Sequence, residues 1–477
     1  MIPVDIDGLD GLPAPYWFIQ LFKGLGFILH SIPMHLWLAG LPIAIFLLIV
    51  GGANAQVFAR RLLKQMPVIM AFGINFGIVP LLFIQVAYSK VFYPATILMA
   101  WHWLGILIMV LPAYYLLYIT SGLVDSGKKW WPALTGSIAS FLIICVGLIF
   151  ASAWTLMANP DAWSEIWRTK SIAGAATGLG TNWSDSVVFL RFISIAGLAI
   201  LTVTFWALFD TWFLFIQKKA KKSAAASSAE PAAPKQKQVS QITDFMDNPH
   251  LSPKRKRHLQ QLRSKGKLSE EEELEALEYG FDGEADDDAD EEQEEAALKK
   301  AAKSGELPDI SDISTYQRWI MRFAETLVWF GIFISLGSLW FYYYKVLDGT
   351  PNPEIAAASA SSVPDDFIAV RIIPIWIPIV TFIAILSFAV VLMLGSFKKL
   401  EGKLLVVLLG LCHAVILIFF TTTRQVIQNS QIASYLDVRS IPVKMQLSPI
   451  LVFLLIFLFG AALIYWMVST MAKAARK

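Results

Sequence analysis

The sequence predicts an all-α, polytopic membrane helix bundle, and three observations support this fold class. The 477 residues are 56% hydrophobic and only 16% charged, with a mean hydropathy of +0.57. These values are typical of a membrane protein rather than of a soluble enzyme. Nine apolar stretches each have roughly the 20 residues that are needed to cross a bilayer. The 17 tryptophans fit a chain with many anchors at the membrane interface.

The predicted spans follow one another with short connections, except for one long insertion. They lie near residues 25–52, 67–89, 97–120, 133–157, 187–216, 320–346, 369–396, 403–423 and 448–472. A short amphipathic segment ahead of them, residues 12–23, is expected to lie on the membrane surface. Basic residues follow spans 1, 3, 5, 7 and 9, and all of them fall on one side if the N-terminus is periplasmic, as the positive-inside rule requires. These are Arg60, Arg61, Lys64, Lys128, Lys129, KKAKK at 218–222, Lys398, Lys399 and the terminal KAARK.

Three segments make up the predicted organisation. Residues 1–216 hold transmembrane helices 1–5, residues 217–318 form a charged and largely disordered cytoplasmic insert, and residues 319–477 hold helices 6–9. No removable signal peptide is expected at the N-terminus. The two cysteines, Cys145 and Cys412, lie far apart in apolar runs and exclude a disulfide framework, a zinc motif and covalent haem attachment.

Four histidines lie inside predicted spans: His30, His35, His102 and His413. An ionisable group in the membrane needs a partner and is a functional candidate by default. Four imidazoles without a Cys-x-x-Cys-His motif are what non-covalent haem b would require, so each is predicted to ligate haem iron. The alternative is that some of them only form hydrogen bonds to a neighbouring helix.

The predicted depths favour two haems, with His30 paired to His102 and His35 paired to His413. One haem or three would also be compatible with the same residues. Haem propionates near a membrane face need cations, and guanidinium groups suit carboxylates. The candidates to bind the propionates are Arg191, Arg371 and Arg424, which lie near the outer ends of spans 5, 7 and 8. Lys90 also lies on this side, but snorkelling to the interface explains it more simply.

Several segments of the sequence together resemble a known protein family. They are HSIPMHLWLAGL at 30–41, FGINFGIV at 72–79, FASAWTLMANP at 150–160, VVFLRFISIAG in span 5, FIAVRIIPI in span 7 and TTTRQVIQ at 421–428. With these segments in this order, the chain resembles the large, haem-bearing subunit of cytochrome bd-type quinol oxidases. The resemblance covers the nine spans but not the insert, and it implies nine helices with the N-terminus outside and a place in the bacterial cytoplasmic (inner) membrane.

The resemblance also implies roles for single residues, and several of them depart from the family pattern. His30 matches the histidine ligand in span 1. His102 stands in place of a carboxylate in a proton path, and Arg191 in place of a histidine ligand. Ile373, two residues after Arg371, replaces a methionine ligand, and Thr421, three before Arg424, replaces a glutamate. Because a bis-histidine iron has no free position for O₂, these changes favour electron transfer over oxygen reduction.

The sequence therefore predicts a membrane cytochrome b that takes electrons from a quinol and passes them to a periplasmic partner, plausibly a c-type cytochrome. Its catalytic residues are not identified by the sequence. The loop with Lys345, Glu354, Asp365 and Asp366 is a weak candidate for the quinol site, since charged loop residues are usually just solvated. Two alternatives stay open: a quinol:O₂ oxidase subunit that uses His30 alone, and a haem-free transporter or assembly protein.

Overall fold

A computed structural model of the chain describes residues 11–126, 128–228, 313–348, 366–396, 402–432, 436, 438 and 441–474. These residues form eleven helices and one short β-hairpin. The helices are α1 (Tyr16–Val50), α2 (Ala53–Ala87), α3 (Ser89–Leu98), α4 (Ala100–Leu123), α5 (Trp130–Met157), α6 (Asp161–Lys170), α7 (Ser186–Ser228), α8 (Ile313–Asp348), α9 (Asp366–Ser396), α10 (Gly402–Ile432) and α11 (Leu447–Ala474). The hairpin strands are β1 (Ser171–Ile172) and β2 (Ala175–Ala176).

The all-α membrane class is confirmed for this part of the chain. Eight helices are long and apolar enough to cross a membrane: α1, α2, α4, α5, α7, α8, α9 and α10. In α11, the counterpart of the predicted ninth span, the shorter stretch Leu447–Leu463 is apolar. Most of the charged insert, residues 229–312, lies outside the described residues.

The expected surface helix over residues 12–23 does not form as a separate element. The first helix begins at Tyr16, after Pro15, and runs without a break to Val50. Phe18 and Ile19 are buried against the rest of the bundle. This packing explains why the segment joins the first span instead of lying apart from it.

One stretch of α1 departs from regular α-helix. Leu36–Gly40 is a π-helical segment between the α-helical residues Tyr16–His35 and Leu41–Val50. Pro33 lies just before it and lacks the amide proton that would continue the α-helical ladder. Such π-helical insertions are frequent at functional sites, and this one begins directly after His35.

The closest helix pair is α7 with α8, which meet through small residues. A β-carbon on Gly197 would lie 2.4 Å from the Ser335 backbone nitrogen, and one on Gly331 would lie 3.2 Å from the Gly197 carbonyl oxygen. Small residues permit this approach of two membrane helices. Pairs α1–α2, α4–α5 and α9–α10 also pack side by side, and α1 additionally contacts α7 and α10.

Contacts between distant segments define two ends of the bundle. At one end, the Leu12 amide donates to the Pro442 carbonyl oxygen at 2.9 Å, so the segments before α1 and before α11 are adjacent. At the other end, Arg61 forms an ion pair with Asp210 and Lys64 forms one with Asp125. Arg61 and Lys64 are two of the basic residues that the sequence places on a common side.

The structure adds local elements that the sequence analysis did not predict. Helices α3 and α6 and the hairpin connect the longer helices. The hairpin turn has two positive φ angles, 51° at Ala173 and 77° at Gly174. Such a turn matches the twist of its two strands.

Candidate functional site

Helix α1 carries two of the four predicted histidines, and each ring is held by a specific hydrogen bond. The Nδ1 atom of His30 lies 2.7 Å from the carbonyl oxygen of Gly73 on α2. A carbonyl can only accept, so Nδ1 carries the proton and the neutral ring keeps the lone pair of Nε2 free. A metal-binding histidine is oriented in the same way when its second nitrogen donates to a backbone carbonyl.

Close packing explains why glycines lie opposite His30. A β-carbon on Gly77 would be 2.9 Å from the His30 ring, and one on Gly73 would be 2.2 Å from the Trp37 ring. Both distances are shorter than real contacts of β-carbons. The two glycines of FGINFGIV therefore let α2 lie directly against the face of α1 that carries His30.

His35 lies in the interior, with 1% of its surface exposed. Its Nδ1 is 2.7 Å from the hydroxyl oxygen of Thr202 on α7. The same hydroxyl lies 3.3 Å from the Leu198 carbonyl oxygen, to which it donates. Because the threonine proton is used in this way, Nδ1 of His35 is the donor to Thr202, and the lone pair of a neutral ring again falls on Nε2.

His413 on α10 is buried without any polar partner. Neither Nδ1 nor Nε2 has a hydrogen-bond partner among the described residues, and 3% of the side chain is exposed. Its ring stacks on Phe205 with 5.3 Å between ring centroids, and Phe388 lies on another side. A buried imidazole without a hydrogen bond is costly, and a ligand bound to one of its nitrogens would offset that cost.

Three of the predicted histidines belong to one cluster. His35 lies within electrostatic range of His30, His413 and Arg424. Counted along their helices, His35 is about 28 Å from the start of α1 and His413 is about 28 Å from the end of α10. We refer to His30, His35 and His413 as the histidine cluster.

His102 is placed apart from this cluster. It lies two residues after the start of α4, whereas His30 lies about 21 Å along α1. Helix α4 packs against α5 and α2 rather than beside α1. Its Nδ1 is buried without a partner in the described part of the chain, but no recorded interaction connects it to the other three histidines. The structure thus brings His35 near His413 and does not bring His102 near His30.

Two predicted arginines lie beside the histidine cluster. Arg191 is 2% exposed, donates to the Tyr342 hydroxyl at 2.8 Å and to Oε1 of Gln428 at 3.2 Å, and leaves its Nε without a partner among the described residues. Arg424 is buried above the Phe27 ring, 5.5 Å from its centroid, and lies within electrostatic range of Arg191.

The charges of these arginines are not balanced by acidic side chains. The ion pairs recorded for the described residues join Arg61 to Asp210, Lys64 to Asp125 and Arg168 to Glu165, and none includes Arg191 or Arg424. A buried cation is stable only beside a counter-charge or a set of hydrogen-bond acceptors, and the described residues place no carboxylate against either arginine. The side chains of Arg371 and Ile373 are not described. Of the four residues predicted in the loop, Lys345 belongs to α8 and Asp366 begins α9, whereas Glu354 and Asp365 lie outside the described residues.

A second polar group lies toward the start of α1 and was not predicted from the sequence. Lys23, 7% exposed, donates to the Tyr88 hydroxyl at 3.1 Å. That hydroxyl also accepts from Gln20 at 3.3 Å and donates to Asn429 at 2.7 Å. Gln425 donates to Gln20. These five residues, which we call the Lys23 cluster, join α1, α10 and the residue between α2 and α3.

A sequence signal for the Lys23 cluster did exist. Lys23 interrupts an apolar run, and Gln20, Lys23, Phe27 and His30 recur at helical spacing. That spacing places all four on one face of α1. The signal was masked because residues 12–23 were interpreted as a surface helix, on which a lysine is ordinary.

The described side chains fit haem better than a simple metal ion. No group of three or more His, Cys, Asp or Glu side chains in the described residues converges on a point where an ion could bind. Haem needs only one or two axial ligands, together with cations for its propionates. The unpaired nitrogens of His413, the free Nε2 of His30 and the uncompensated arginines meet these needs.

Comparisons with protein-family models, with curated proteins and with solved structures found no match to this chain.

Proposed function

We propose that this chain is the haem b subunit of a quinol-oxidising complex in a bacterial inner membrane, a divergent relative of the cytochrome bd-type large subunits. It takes electrons from a quinol and passes them to a periplasmic acceptor, a c-type cytochrome. The observation that supports it best is the group of His30, His35 and His413 with the buried arginines Arg191 and Arg424. Both ring nitrogens of His413 lack a partner, and neither arginine has an acidic partner, among the described residues.

Each residue in this group has a defined task. His30, His35 and His413 would supply the ligands to haem iron, and Arg191 and Arg424 would bind the propionates. Gly73 and Thr202 fix the orientation of the first two rings by accepting their Nδ1 protons. Haem b supplies an iron that accepts and returns one electron at a time. His102 is assigned to a separate haem site, because it is on α4, which packs against α5 and α2.

The proposed reaction needs no reactant other than the quinol and the oxidised c-type partner. A quinol loses two O–H bonds and becomes a quinone, releasing two protons and two electrons. Two oxidised molecules of the c-type partner each accept one electron, and the two protons leave to the periplasm.

The proposed topology has nine spans and a periplasmic N-terminus. Hydrogen bonds between Leu12 and the segment at 442–444 place the starts of α1 and α11 at the same end. An even number of crossings must lie between them, in agreement with the eight candidate spans α1 to α10. Helix α11 then supplies the ninth crossing.

The decisive experiment measures haem in the purified, full-length protein by its pyridine haemochrome and its haem-to-protein ratio. We expect bound haem b, and we expect His30→Ala, His35→Ala and His413→Ala to lower the ratio. His102→Ala should remove a different spectral component. The control is His250→Ala, in the charged insert, which should leave the spectrum unchanged.

Two outcomes would contradict the proposal. A colourless protein would reject it and favour a transporter or assembly role. Unchanged spectra in all four histidine variants would reject these residues as ligands. O₂ consumption by the isolated haem-loaded protein with quinol would favour the oxidase alternative instead.

A further inference from the structure

Lys23 is a buried cation to which the proposed haem site assigns no role. Its ammonium group lies 3.1 Å from the Tyr88 hydroxyl and 4.4 Å from the Tyr88 ring centroid, and within the described ranges it forms no ion pair. An ionisable side chain buried in a membrane bundle marks a ligand or ion site by default. The question is which ligand the surrounding groups match.

The groups around Lys23 are suited to a neutral oxygen ligand. Gln20, Gln425 and Asn429 each carry a donor and an acceptor. Burial raises the pKa of Tyr88, so its hydroxyl keeps its proton and also both donates and accepts. Such groups bind a quinone carbonyl and a quinol hydroxyl equally well.

The Lys23 cluster is open on one side and apolar on another. Lys23 and Tyr88 are buried. The three amide side chains are half-buried: Gln20, Gln425 and Asn429. The neighbouring residue Phe22 packs edge-on against Phe453 of α11, with 4.9 Å between centroids, and lies parallel to Phe83 of α2 at 6.2 Å. An aromatic wall beside a few convergent polar groups is the usual composition of a small-molecule site.

The position of the cluster relates it directly to the histidines. Gln20, Lys23, Phe27 and His30 share one face of α1. Lys23 precedes His30 by about 10 Å along the helix axis. Between them lies Phe27, with Arg424 above its ring. The face therefore runs from the half-buried polar groups of the Lys23 cluster to the half-buried ring of His30.

We infer that the Lys23 cluster binds the headgroup of a quinol. Lys23 uses one hydrogen on Tyr88 and donates another to a ring oxygen, and Tyr88 and the amides, which bond to one another, exchange some of these bonds for bonds to the quinol. This inference rests on the proposed function for its redox role. It places the substrate among α1, α2 and α10 and not in the loop between α8 and α9.

The test uses the full-length protein purified in detergent, with a short-chain ubiquinone and a short-chain menaquinone as probes. Binding is measured by quenching of tryptophan fluorescence, and haem is measured separately on the same samples. We expect one of the quinones to bind. Lys23→Met and Tyr88→Phe should each weaken its binding at least about tenfold, as loss of a buried charged or hydroxyl hydrogen bond implies.

Matched control variants and the haem measurement distinguish loss of quinone binding at this site from a general loss of the folded protein. Lys170→Met and Tyr93→Phe change exposed residues of the same types and should bind like the unaltered protein. The haem-to-protein ratio should stay constant in all four variants. Quinone binding without haem would leave this site standing while the proposed function fails.

Three results would overturn the inference. The first is a haem-loaded protein that binds neither quinone. The second is binding that Lys23→Met and Tyr88→Phe do not change. The third is loss of haem in Lys23→Met with quinone binding intact, which would assign the lysine to a propionate.

Discussion

At the scale of single residues, Thr202 should control how firmly His35 holds its ligand. Its hydroxyl accepts from Nδ1 of His35, and loss of such a partner typically lowers metal affinity by about 10-fold to 100-fold. We therefore expect Thr202→Val to lower haem retention during dilution in detergent by about tenfold. The readout is the haem-to-protein ratio against time.

Thr204 provides a matched control for this variant. It lies on the same helix, is fully buried, and donates to the Ile200 carbonyl oxygen of its own helix. Thr204→Val removes the same hydroxyl without touching a histidine and should retain haem normally. Equal retention in both variants would show that Thr202 does not act through His35.

The predictability of the site differs from residue to residue for physical reasons. A histidine or arginine in an apolar run is visible in the sequence because hydrocarbon does not tolerate an unpartnered charge. The two nearby glycines have no such signal, and their role follows only from the closeness of α2 to α1. The amides of the Lys23 cluster come from helices about 400 residues apart in sequence, as the bond between Gln20 and Gln425 shows, and no spacing rule connects them.

At the scale of helices, the crossing of α7 and α8 positions Arg191. Tyr342 on α8 accepts from Arg191 on α7, and the two helices touch at Gly197. A methyl group at Gly197 would meet backbone atoms of Ser335, which have no rotamer to change. We expect Gly197→Ala to destabilise the protein by about 1–3 kcal/mol, the usual cost of overpacking, and to loosen the bond to Arg191. Thermal unfolding in detergent measures the first effect, and haem retention measures the second.

Gly337 on α8 is the control for that substitution. A β-carbon there meets no atom within 4 Å. Because alanine is the better helix former by about 1 kcal/mol, Gly337→Ala should be neutral or stabilising. If both variants unfold alike, close contact at Gly197 does not hold the pair together.

Hydropathy alone does not predict where the helices begin and end. Apolar length predicted the existence of the long helices but not their ends: α2 begins at Ala53, well before the predicted residue 67. The additional turns contain Arg60, Arg61 and Lys64, whose charges lower the hydropathy. Yet Arg61 is paired with Asp210 and Lys64 with Asp125. Tertiary partners thus extend a helix beyond the stretch that is apolar enough to be recognised.

At the scale of the whole molecule, polar groups are divided between the two ends of the bundle. The Lys23 cluster and the Leu12 pairing lie toward the start of α1, and the Arg61–Asp210 and Lys64–Asp125 pairs lie toward the start of α2. The second end also holds the basic residues that the positive-inside rule places in the cytoplasm. We therefore expect the proposed quinol site in the periplasmic half, where protons released from the quinol would enter the periplasm.

This arrangement gives a prediction about membrane topology. In a background with Cys145→Ala and Cys412→Ala, Lys170→Cys at the end of α6 should react with a membrane-impermeant maleimide in intact cells. Lys129→Cys, between α4 and α5, should react only after permeabilisation. A reporter fused after residue 477 should be active in the cytoplasm, because α11 begins at the same end as α1 and adds one further crossing. The reverse labelling pattern would invert the bundle and move the Lys23 cluster to the cytoplasmic half. A periplasmic reporter with the expected labelling would instead show that α11 does not cross, which leaves eight spans.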